Sequence, residues 1–341
     1  MRTFWDKQPE AFGFSANHRN KAEPEQLPEE FEWSTYPIEV IYEFLKNHYV
    51  AEDDFKLTYG LDTLRWALEV PGHQNVAITH KPTQELIGFI SVAPLNLKLN
   101  DKEVKGVQGN FLCVHTEYRN KRIAPYLISE AKRVSDNKNR KQAIVTVHNP
   151  IPGSIAKAAY WHRVINVDTL IKSGFYQTNR PKSKAFEIQG RSMFRKMTSR
   201  DVLKVSQLLK DYFAKFKVSP IVNDQWVKHW LLPRDNVVYS YINDETGEFV
   251  SFYRIPYEKV DGTYTVNQAY LFYMTGDNFN DALIMAKNEG FDVMNSIDIV
   301  HDNKTLTKHK FIQGTGHINY HIFNWDSNGV IDKKELNVII P

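Results

Sequence analysis

Apolar residues recur at the spacing of a helix in several separate segments of the chain. Over 40–49 the residues that share one helical face are Val40, Ile41, Phe44 and Leu45. The same spacing predicts helices over 62–68, 123–135, 201–216, 223–230, 280–290 and 303–309. Ser199 and Asn223 are residue types that cap helix N-termini, and Gly290 suits the position just past a C-terminus.

Short runs of β-branched and aromatic residues alternate with these helices and predict strands. They cover 76–78, 86–92, 104–115 and 143–147, and then 237–242, 248–255, 264–274, 292–297 and 319–325. The order helix, helix, strands, helix, strand therefore occurs twice. Gly174, Pro181 and the basic stretch 180–184 are typical of a linker. We predict an α/β fold with a mixed α+β sheet and two similar halves, residues 1–178 and 179–341.

The charged residues nearly cancel, since 43 Lys and Arg oppose 40 Asp and Glu and leave a net charge of +3. This charge is too small to favour nucleic acid as a partner. The single cysteine, Cys113, excludes an internal disulfide and fits a reducing compartment. No apolar run reaches 18 residues, and the first residues lack the apolar segment of a signal peptide. We therefore expect a cytoplasmic protein with no transmembrane segment.

The segment 110–125 carries the most informative chemistry. It predicts a strand that runs into a loop with three cations, Arg119, Lys121 and Arg122, followed at once by a helix. The first turn of a helix presents unpaired N–H groups and the positive end of the helix dipole, which together bind anions. We interpret the segment as a phosphate site, best suited to a pyrophosphate. A solvent-exposed basic turn is the alternative.

Other kinds of site have weaker support. Cys113 and His115 share a strand face, as a thiol nucleophile and its base would, but Cys113 is more simply a buried apolar residue. The four C-terminal histidines have no Cys or carboxylate at metal-ligand spacing, so we expect no metal site; they are His301, His309, His317 and His321. Residues 326–329 predict a turn, because their glycine falls too early for a calcium loop.

The order strand, Arg-x-x-Arg-x-Ala, helix resembles the acyl-CoA loop of the acetyltransferase superfamily, in which a glycine usually stands at the position of Arg122. With residues 110–115 in front of it, the segment resembles the signature of the glycylpeptide N-myristoyltransferase family. Further blocks resemble that family in order and spacing along nearly the whole chain: 4–9, 27–33, 66–68, 88–91, 160–163, 290–293, 303–305 and 323–325.

The resemblance implies two tandem acetyltransferase-like (GNAT-like) halves in a pseudo-twofold arrangement. The first half would bind myristoyl-CoA, the acyl-donor substrate, and the second would supply most of the peptide groove. The implied reaction transfers the C14 acyl group to the N-terminal glycine amine of a peptide or nascent protein, with no metal and no permanently bound cofactor. We expect a monomer. Two alternatives stay open: an acyltransferase for another chain length or a lysine acceptor, and a silent protein that binds acyl-CoA or acylated peptides.

The resemblance also implies which residues meet the coenzyme. The backbone N–H groups of Phe111 and Leu112 match the family's oxyanion hole, where donors stabilise charge on the thioester oxygen. The positions that match coenzyme contacts are Phe4, Trp5, Phe111, Leu112, Cys113, Val114, Arg119, Asn120, Lys121, Arg122, Ile123, Ala124 and Pro125. On this side the chain departs from the family at Asn120, where a serine is common, and at Gln108 and Gly109.

On the acceptor side, Asn110, Thr146 and Tyr160 match positions near the attacking amine. The positions that match peptide contacts are Glu52, Asp53, Asp54, Tyr160, His162, Tyr270, Leu271, Gly314, Thr315 and Gly316. Two of them depart from the family: Thr315 replaces a usual acidic residue, and Leu271 replaces a small polar one. The acidic loop around 52–54 is also about two residues shorter than in relatives, so all three of these departures lie on the peptide side.

The attacking amine must lose a proton, and no His–Asp pair in the sequence stands out as the base. The resemblance implies that the chain's own terminal carboxylate, on Pro341, takes this role. The last six residues, Leu336–Pro341, are almost all apolar, whereas chain ends are usually polar and frayed. We expect this tail to be buried. The alternative is that it packs as an edge strand and another group or water accepts the proton.

Overall fold

The structure is a computed structural model that describes residues 23–49, 55–149, 151–175, 186–325 and 330–341. The helices are α1 (Ile38–His48), α2 (Leu61–Leu68), α3 (Ile123–Asn137), α4 (Val167–Lys172), α5 (Val202–Phe213), α6 (Asp224–Trp230), α7 (Phe279–Asn288) and α8 (Asn303–Lys308). The strands of the N-terminal part are β1 (Phe31–Ser34), β2 (Phe55–Leu57), β3 (Gln74–His80), β4 (Glu85–Leu99), β5 (Lys102–Val114), β6 (Gln142–Val147) and β7 (Ala156–Val164). Those of the C-terminal part are β8 (Arg195–Lys196), β9 (Val218–Pro220), β10 (Val238–Ile242), β11 (Phe249–Arg254), β12 (Tyr257–Lys259), β13 (Thr265–Val266), β14 (Gln268–Met274), β15 (Val293–Ile297) and β16 (Ile312–Phe323).

The predicted helices are present, but the cap predicted at Ser199 is wrong. Ser199 lies inside a 3-10 turn that precedes α5, and Thr198 is the capping residue. The backbone N–H and the hydroxyl of Thr198 both donate to the Asp201 carboxylate, at 2.8 and 2.9 Å. The predicted cap Asn223 is confirmed, because its side chain accepts from the N–H of Trp226 at 2.8 Å.

Two differences from the predicted strands bear on the sheet. The predicted strand over 264–274 is divided into β13 and β14, with Asn267 between them. The backbone N–H of Asn267 leaves the ladder and donates to Asp292. Strand β7 was not predicted, because its residues Ala156–Val164 mix alanine with charged side chains and show no regular alternation.

Thirteen of the described strands form a large mixed sheet whose two halves repeat each other, while β13, β12 and β2 form a separate antiparallel sheet of three strands. The order of the large sheet is β1-β3-β4-β5-β6-β16 followed by β7-β15-β14-β11-β10-β8, and β9 pairs with β4 at one side. Each set of six has one parallel pair, β5 with β6 and β14 with β15, while its other neighbours are antiparallel. Helix α3 connects the first parallel pair, and α7 connects the second. The predicted mixed α/β fold with two similar halves is confirmed.

In each set of six strands, the strand at the centre of the sheet comes from the other part of the chain. Strand β16, from the end of the chain, completes the first set, whereas β7, from the N-terminal part, completes the second. These two strands pair with each other at the centre of the sheet. The division into residues 1–178 and 179–341 therefore stays a prediction about the chain, since each set of strands contains one strand from the other part.

Helix α3 packs closely on β4 at a glycine. A Cβ atom on Gly88 would lie 2.6 Å from Cγ2 of Ile123, the first residue of α3, so any larger residue would push the helix away. Ile123 and Leu127 are buried there in one cluster with Ile87 and Val107. The start of α3 is thereby fixed next to the end of β5. No helix in the described part of the chain is long and apolar enough to cross a membrane.

Candidate active site

The parallel strands β5 and β6 separate part-way along their length. They pair over 106–108 and 142–144, and both strands continue past that point. Asn110 and Thr146 each lie two residues beyond the last pair, and strand side chains alternate between faces, so both belong to the face that carries Gln108 and Ile144. The amide Nδ2 of Asn110 is buried and has no hydrogen-bond partner among the described residues. A bound molecule or water could satisfy this donor.

A β-bulge in β5 lies at the edge of this gap. Phe89 pairs with Cys113 and Ser91 with Asn110, so two steps along β4 oppose three along β5. Phe111 adopts a left-handed φ of 55°, which is costly for a residue with a side chain. Its ring is buried against Tyr49 and Tyr59, with ring centroids 5.6 and 5.1 Å away, while Leu112 is 39% exposed.

The bulge removes backbone groups from the regular ladder. In the pairing of β4 with β5, Phe111 and Leu112 lie opposite the single residue Ile90, as two residues oppose one in a bulge. Backbone N–H groups that a bulge leaves outside the regular ladder are held rigidly, and an oxyanion hole uses donors of this kind.

Cys113 is unsuited to nucleophilic catalysis. Its side chain is 4% exposed, and burial raises the pKa of the thiol to about 12. A neutral buried thiol is a poor nucleophile, so the structure supports the interpretation of Cys113 as an apolar residue. Within the residues that the structure describes, no three His, Cys, Asp or Glu side chains are grouped as metal ligands would be.

The predicted phosphate loop follows β5 and leads into α3. Residues Thr116–Lys121 form a 3-10 turn, and α3 begins at Ile123. Arg122, between them, has a left-handed φ of 59°, the conformation that glycine adopts most easily. Asn120, Lys121 and Arg122 are exposed, so the two cations can approach an anion at the helix N-terminus.

Arg119 has a different environment from its two basic neighbours. Its Nη2 donates to the backbone oxygen of His48 at 2.9 Å, at the last turn of α1. Its Nε lies 3.4 Å from the backbone oxygen of Val114. Arg119 therefore ties α1 to the end of β5, while its exposed position still adds positive charge to the loop. Ala124 and Pro125, the next predicted contacts, are half-buried in the first turn of α3.

The predicted peptide residues His162 and Tyr270 belong to one hydrogen-bond network. Nδ1 of His162 lies 2.7 Å from Oδ1 of Asn295, whose amide donates to Oε1 of Gln268. The hydroxyl of Tyr270 donates to the same Gln268 oxygen at 3.1 Å. Because Oδ1 can only accept, the network places a hydrogen on Nδ1 of His162 and leaves Nε2 as an acceptor in the neutral ring.

Strand β16 bulges next to His162, at the predicted Gly-x-Gly segment. Gln313 pairs with Trp161 and His317 with Ala159, so β16 has two more residues than β7 over this stretch. A Cβ atom on Gly314 would lie 2.3 Å from Nε2 of His162, and one on Gly316 would lie 3.3 Å from the Tyr160 ring. The glycines allow the strand to pass these side chains, and Thr315 is exposed between them.

The remaining predicted peptide residues differ in their placement. Tyr160 is half-buried, and burial raises the pKa of its hydroxyl to about 12, so it stays protonated at neutral pH. Leu271 is 9% exposed and packs with Trp161 and Phe252 in an apolar cluster, on the opposite sheet face from Tyr270. Five predicted residues lie outside the described part of the chain: Phe4, Trp5, Glu52, Asp53 and Asp54.

The C-terminal tail lies on the same sheet face as Asn110 and Thr146. Leu336 and Val338 are buried with Leu97, Ile144 and Tyr320. Ile144 is two residues from Thr146 on β6, and Tyr320 pairs with Thr146, so all three share one face. The predicted burial of the tail is confirmed for Leu336–Val338, whereas the last three residues, 339–341, are half-buried.

The direction of the tail points its end toward the gap. Leu336 forms a parallel bridge with Val218 of β9, and β9 is antiparallel to β4. The tail therefore runs antiparallel to β4, from the level of Leu99 toward that of Ala93. Ala93 pairs with Gln108, the last residue of β5 before the gap.

Comparison with known proteins was made for the whole chain. Residues 15–158 match the N-terminal domain, and residues 177–339 the C-terminal domain, of myristoyl-CoA:protein N-myristoyltransferase. The chain belongs to the N-myristoyltransferase family. It is 34% identical to glycylpeptide N-tetradecanoyltransferase 1 of Arabidopsis thaliana, over 94% of this chain and 81% of that protein. It is 33% identical to the Plasmodium falciparum glycylpeptide N-tetradecanoyltransferase, over 89% of this chain and 82% of that protein.

Solved structures agree with this membership. Saccharomyces cerevisiae N-myristoyltransferase with bound myristoyl-CoA superimposes with a TM-score of 0.85 at 26% identity, over 94% of this chain and 88% of that one. A GCN5-related N-acetyltransferase from Kribbella flavida has a TM-score of 0.50 at 9% identity, covering 86% of this chain and 70% of that one, which shows the fold alone. The resemblance to the N-myristoyltransferase family and the acetyltransferase-like fold are both confirmed.

Several residues around this N-myristoyltransferase site were not predicted from the sequence. Tyr49 and Tyr59 support the bulge through Phe111. Tyr273 and Tyr320 contact the tail, as described below. These tyrosines lie on separate elements with no common motif, and in a chain with 17 tyrosines their number alone gives no signal.

The loop geometry generates a prediction for Arg122. Replacing Arg122→Glu should weaken myristoyl-CoA binding by about tenfold or more, because a charge-assisted phosphate contact becomes a repulsion. Arg122→Gly should have a smaller effect, since it removes the charge but keeps the left-handed backbone conformation. Calorimetric titration with myristoyl-CoA measures both.

Lys138→Glu is the matched control for this prediction. It reverses an exposed charge at the opposite end of α3 and should leave the affinity unchanged. If Arg122→Glu binds myristoyl-CoA as tightly as Lys138→Glu, the loop does not hold the coenzyme phosphates.

Proposed function

We propose that this chain transfers a myristoyl group from myristoyl-CoA to the amine of an N-terminal glycine, with the reacting atoms at the gap between β5 and β6. The amine nitrogen attacks the thioester carbonyl carbon, the C–S bond breaks, and CoA leaves as its thiol. The amine loses a proton as the amide forms. The observation that carries the proposal is the bulge at Phe111 and Leu112 beside a gap that has Asn110 and Thr146 on its two strands.

The bulge supplies electrostatic stabilisation. As the amine attacks, negative charge develops on the thioester oxygen, and the N–H groups of Phe111 and Leu112 are oriented to meet it. Removing one such donor typically costs an enzyme about 2.7–4 kcal/mol of transition-state stabilisation. The buried ring of Phe111, held by Tyr49 and Tyr59, maintains the left-handed backbone that aims these groups.

The coenzyme is held at the other end of the gap. Lys121, Arg122 and the backbone N–H groups in the first turn of α3 would bind its phosphates. The left-handed turn at Arg122 would bring these N–H groups toward the phosphates. Phe4, Trp5, Cys113, Val114 and Ile123 remain proposed contacts through their match to the family. No metal or permanently bound cofactor takes part in the proposed reaction.

The acceptor side is selective for size. We place the amine between Asn110, Thr146 and Tyr160, where the orphaned amide of Asn110 can hold a polar group of the first residue. Glycine is required because a side chain there would crowd the amine next to the thioester. His162, Tyr270, Gly314, Thr315 and Gly316 remain the proposed lining of the peptide groove beyond it. Leu271 also matches a peptide-contact position of the family, but its side chain packs in the apolar cluster on the other sheet face and is not part of this lining.

The base is the terminal carboxylate of Pro341. An α-amine has a pKa of about 8 and is mostly protonated at pH 7, so a group must take its proton. The tail runs toward the gap on the face that carries Asn110 and Thr146, which supports this assignment. We also propose that the protein acts in the cytoplasm as a monomer. The single cysteine, buried as a thiol, is consistent with a reducing compartment.

A chain-length series tests the reaction itself. Free CoA should appear with myristoyl-CoA and a Gly-peptide, and not with the matching Ala-peptide. Octanoyl-CoA and acetyl-CoA should be poorer donors. If CoA release is fastest with a shorter acyl chain, the proposed donor is wrong. If CoA release is equally fast with a peptide whose only amine is a lysine side chain, the proposed acceptor is wrong. Binding without CoA release would show a silent acyl-CoA binder.

If the terminal carboxylate is the base, turnover should be sensitive to the removal or addition of a single residue at the C-terminus. Deleting Pro341, or adding one residue after it, should lower turnover by roughly 10²–10⁴-fold, the usual contribution of a general base, and leave myristoyl-CoA binding intact. Steady-state release of CoA and calorimetric titration measure the two effects.

Pro341→Ala is the matched control, because it changes the last side chain but keeps the carboxylate at the same position. It should retain most of the activity. An enzyme with an added C-terminal residue that works at the wild-type rate would remove the carboxylate from the mechanism.

The exposed Thr315 predicts a change in peptide preference. In the family an acidic residue at this position meets a basic side chain of the peptide, so Thr315→Asp should increase the preference for Lys over Ala at that peptide position. A partly exposed pair contributes about 1 kcal/mol, which corresponds to a change of at most about tenfold. Thr315→Asn, equal in size but uncharged, should not change it. If the ratio of kcat/KM for the Lys-peptide to that for the Ala-peptide is the same in Thr315→Asp and Thr315→Asn, the basic peptide side chain does not lie near residue 315.

A further inference from the structure

The last residues of the tail are held by tyrosine hydroxyls. The hydroxyl of Tyr320 donates to the backbone oxygen of Val338 at 2.8 Å. The backbone N–H of Ile339 donates to the hydroxyl of Tyr273 at 3.3 Å. The backbone N–H of Asn337 donates to the backbone oxygen of Val218 at 2.8 Å. Three consecutive residues of the tail are therefore fixed, and the terminal carboxylate follows two residues after Ile339.

These hydrogen bonds are buried, and their burial fixes the register of the tail. Tyr320 and Val338 are 0 and 1% exposed, and Tyr273 is 3% exposed. Burial raises the pKa of both tyrosines, so both keep their hydroxyl hydrogen at neutral pH. A buried backbone group that loses its partner is costly, so the tail has one preferred register.

Tyr273 occupies a position that repeats the catalytic bulge. In the second set of strands, Val250 pairs with Met274 and Phe252 with Leu271, so two steps along β11 oppose three along β14. This is the count found between β4 and β5, and it makes Phe272 and Tyr273 the counterparts of Phe111 and Leu112. Strands β14 and β15 also stop pairing, at Tyr270 and Asn295, just before this bulge.

The space where β14 and β15 stop pairing is a second gap, and it differs from the gap between β5 and β6 in what fills it and in the charges near it. It retains a cavity of only about 20 Å³, which Ile339 and Asn337 line together with residues of β14 and β15. Asp277 precedes α7, where Lys121 and Arg122 precede α3, and it contacts Lys308 and His309 at 2.7 Å. The second gap therefore lacks room for an acyl chain and lacks the basic loop for a phosphate, and the tail lies along it.

We propose that Tyr273 and Tyr320 are positioning residues that hold the terminal carboxylate of Pro341 in place for proton transfer. The bulge of the first half would stabilise the thioester oxygen, and the bulge of the second half would anchor the tail that carries the base. A slip of one residue along an extended tail moves its end by about 3.3 Å, which is enough to lose contact with the amine. This inference rests on the proposed role of the carboxylate as the base.

Conservative variants test the proposal. Tyr320→Phe and Tyr273→Phe each remove one hydroxyl and keep the ring. Each should lower kcat for a Gly-peptide about 5- to 10-fold, as expected for the loss of one hydrogen bond, with myristoyl-CoA affinity and peptide KM within about twofold of wild type. The deficit should shrink as the pH rises from 7 to 9, because an amine with a pKa of about 8 then loses its proton without help.

Tyr241→Phe is the matched control. Its hydroxyl donates to Glu289 at 2.7 Å in the second set of strands, away from the tail. It should leave kcat unchanged while removing a comparable hydrogen bond. If the tail variants behave like Tyr241→Phe in kcat, or if their loss of kcat does not depend on pH, the positioning role is wrong.

A second measurement covers the case in which a variant loses stability. In Tyr273→Phe the amide of Ile339 loses its acceptor, so its hydrogen exchange should accelerate relative to that of Asn337, whose N–H donates to Val218. Unchanged exchange at Ile339 would overturn the anchoring contact.

The deletion of Pro341 separates this inference from the proposed function. Full activity after the deletion would refute the carboxylate base and the positioning role together. A collapse after the deletion, combined with normal kcat in Tyr320→Phe and Tyr273→Phe, would keep the base and refute the positioning role alone.

Discussion

The apolar tail Leu336–Pro341 is packed against the sheet face on which β5 and β6 separate, and the site depends on this burial. A fully buried Val or Leu side chain contributes about 1.5–3 kcal/mol, so Leu336 and Val338 together hold the chain end firmly. Their partners Leu97, Ile144 and Tyr320 come from β4, β6 and β16. One apolar cluster thereby joins the strands of the reaction gap to the segment that carries the proposed base.

The two sets of strands show how one architecture can serve two purposes. Both contain a parallel pair that separates, a bulge beside the gap, and a crossover helix. The first has an exposed leucine at its bulge and two exposed cations before its crossover helix. The second has a tyrosine at the bulge and an aspartate before the helix, and the tail occupies the space. Under the proposed function, differences in a few side chains make the first gap the binding site and the second gap the anchor of the tail.

Nine described residues with side chains have a left-handed backbone conformation, and two of them lie at the candidate site. Phe111 lies at the bulge, and Arg122 at the start of α3. Each conformation costs of order 1–3 kcal/mol and persists because the surroundings hold it. For Phe111 the surroundings are the rings of Tyr49 and Tyr59, and Arg122 is followed by Ile123, which is buried against Gly88. The fold thus supports strain where backbone N–H groups must point away from regular structure.

The sequence by itself determined all the described helices except α4, most strands, the repeated halves and the basic loop before α3, because each depends on local periodicity or on a contiguous motif. The segment 110–125 and the apolar chain end were sufficient to indicate an acyl-CoA site and a buried tail. Strand β7 and the cap at Thr198 were missed, since alanine-rich strands lack alternation and several residues near a helix start can serve as caps.

Only the tertiary structure decided the pairing of side chains that are distant in sequence. It showed that β16 and β7 are exchanged between the two sets, that Arg119 binds the end of α1, and that Tyr273 and Tyr320 hold the tail. Such contacts depend on strand register and on the direction in which each side chain points. Local sequence patterns constrain neither of these between residues that are distant in the chain, whereas the packed sheet fixes both.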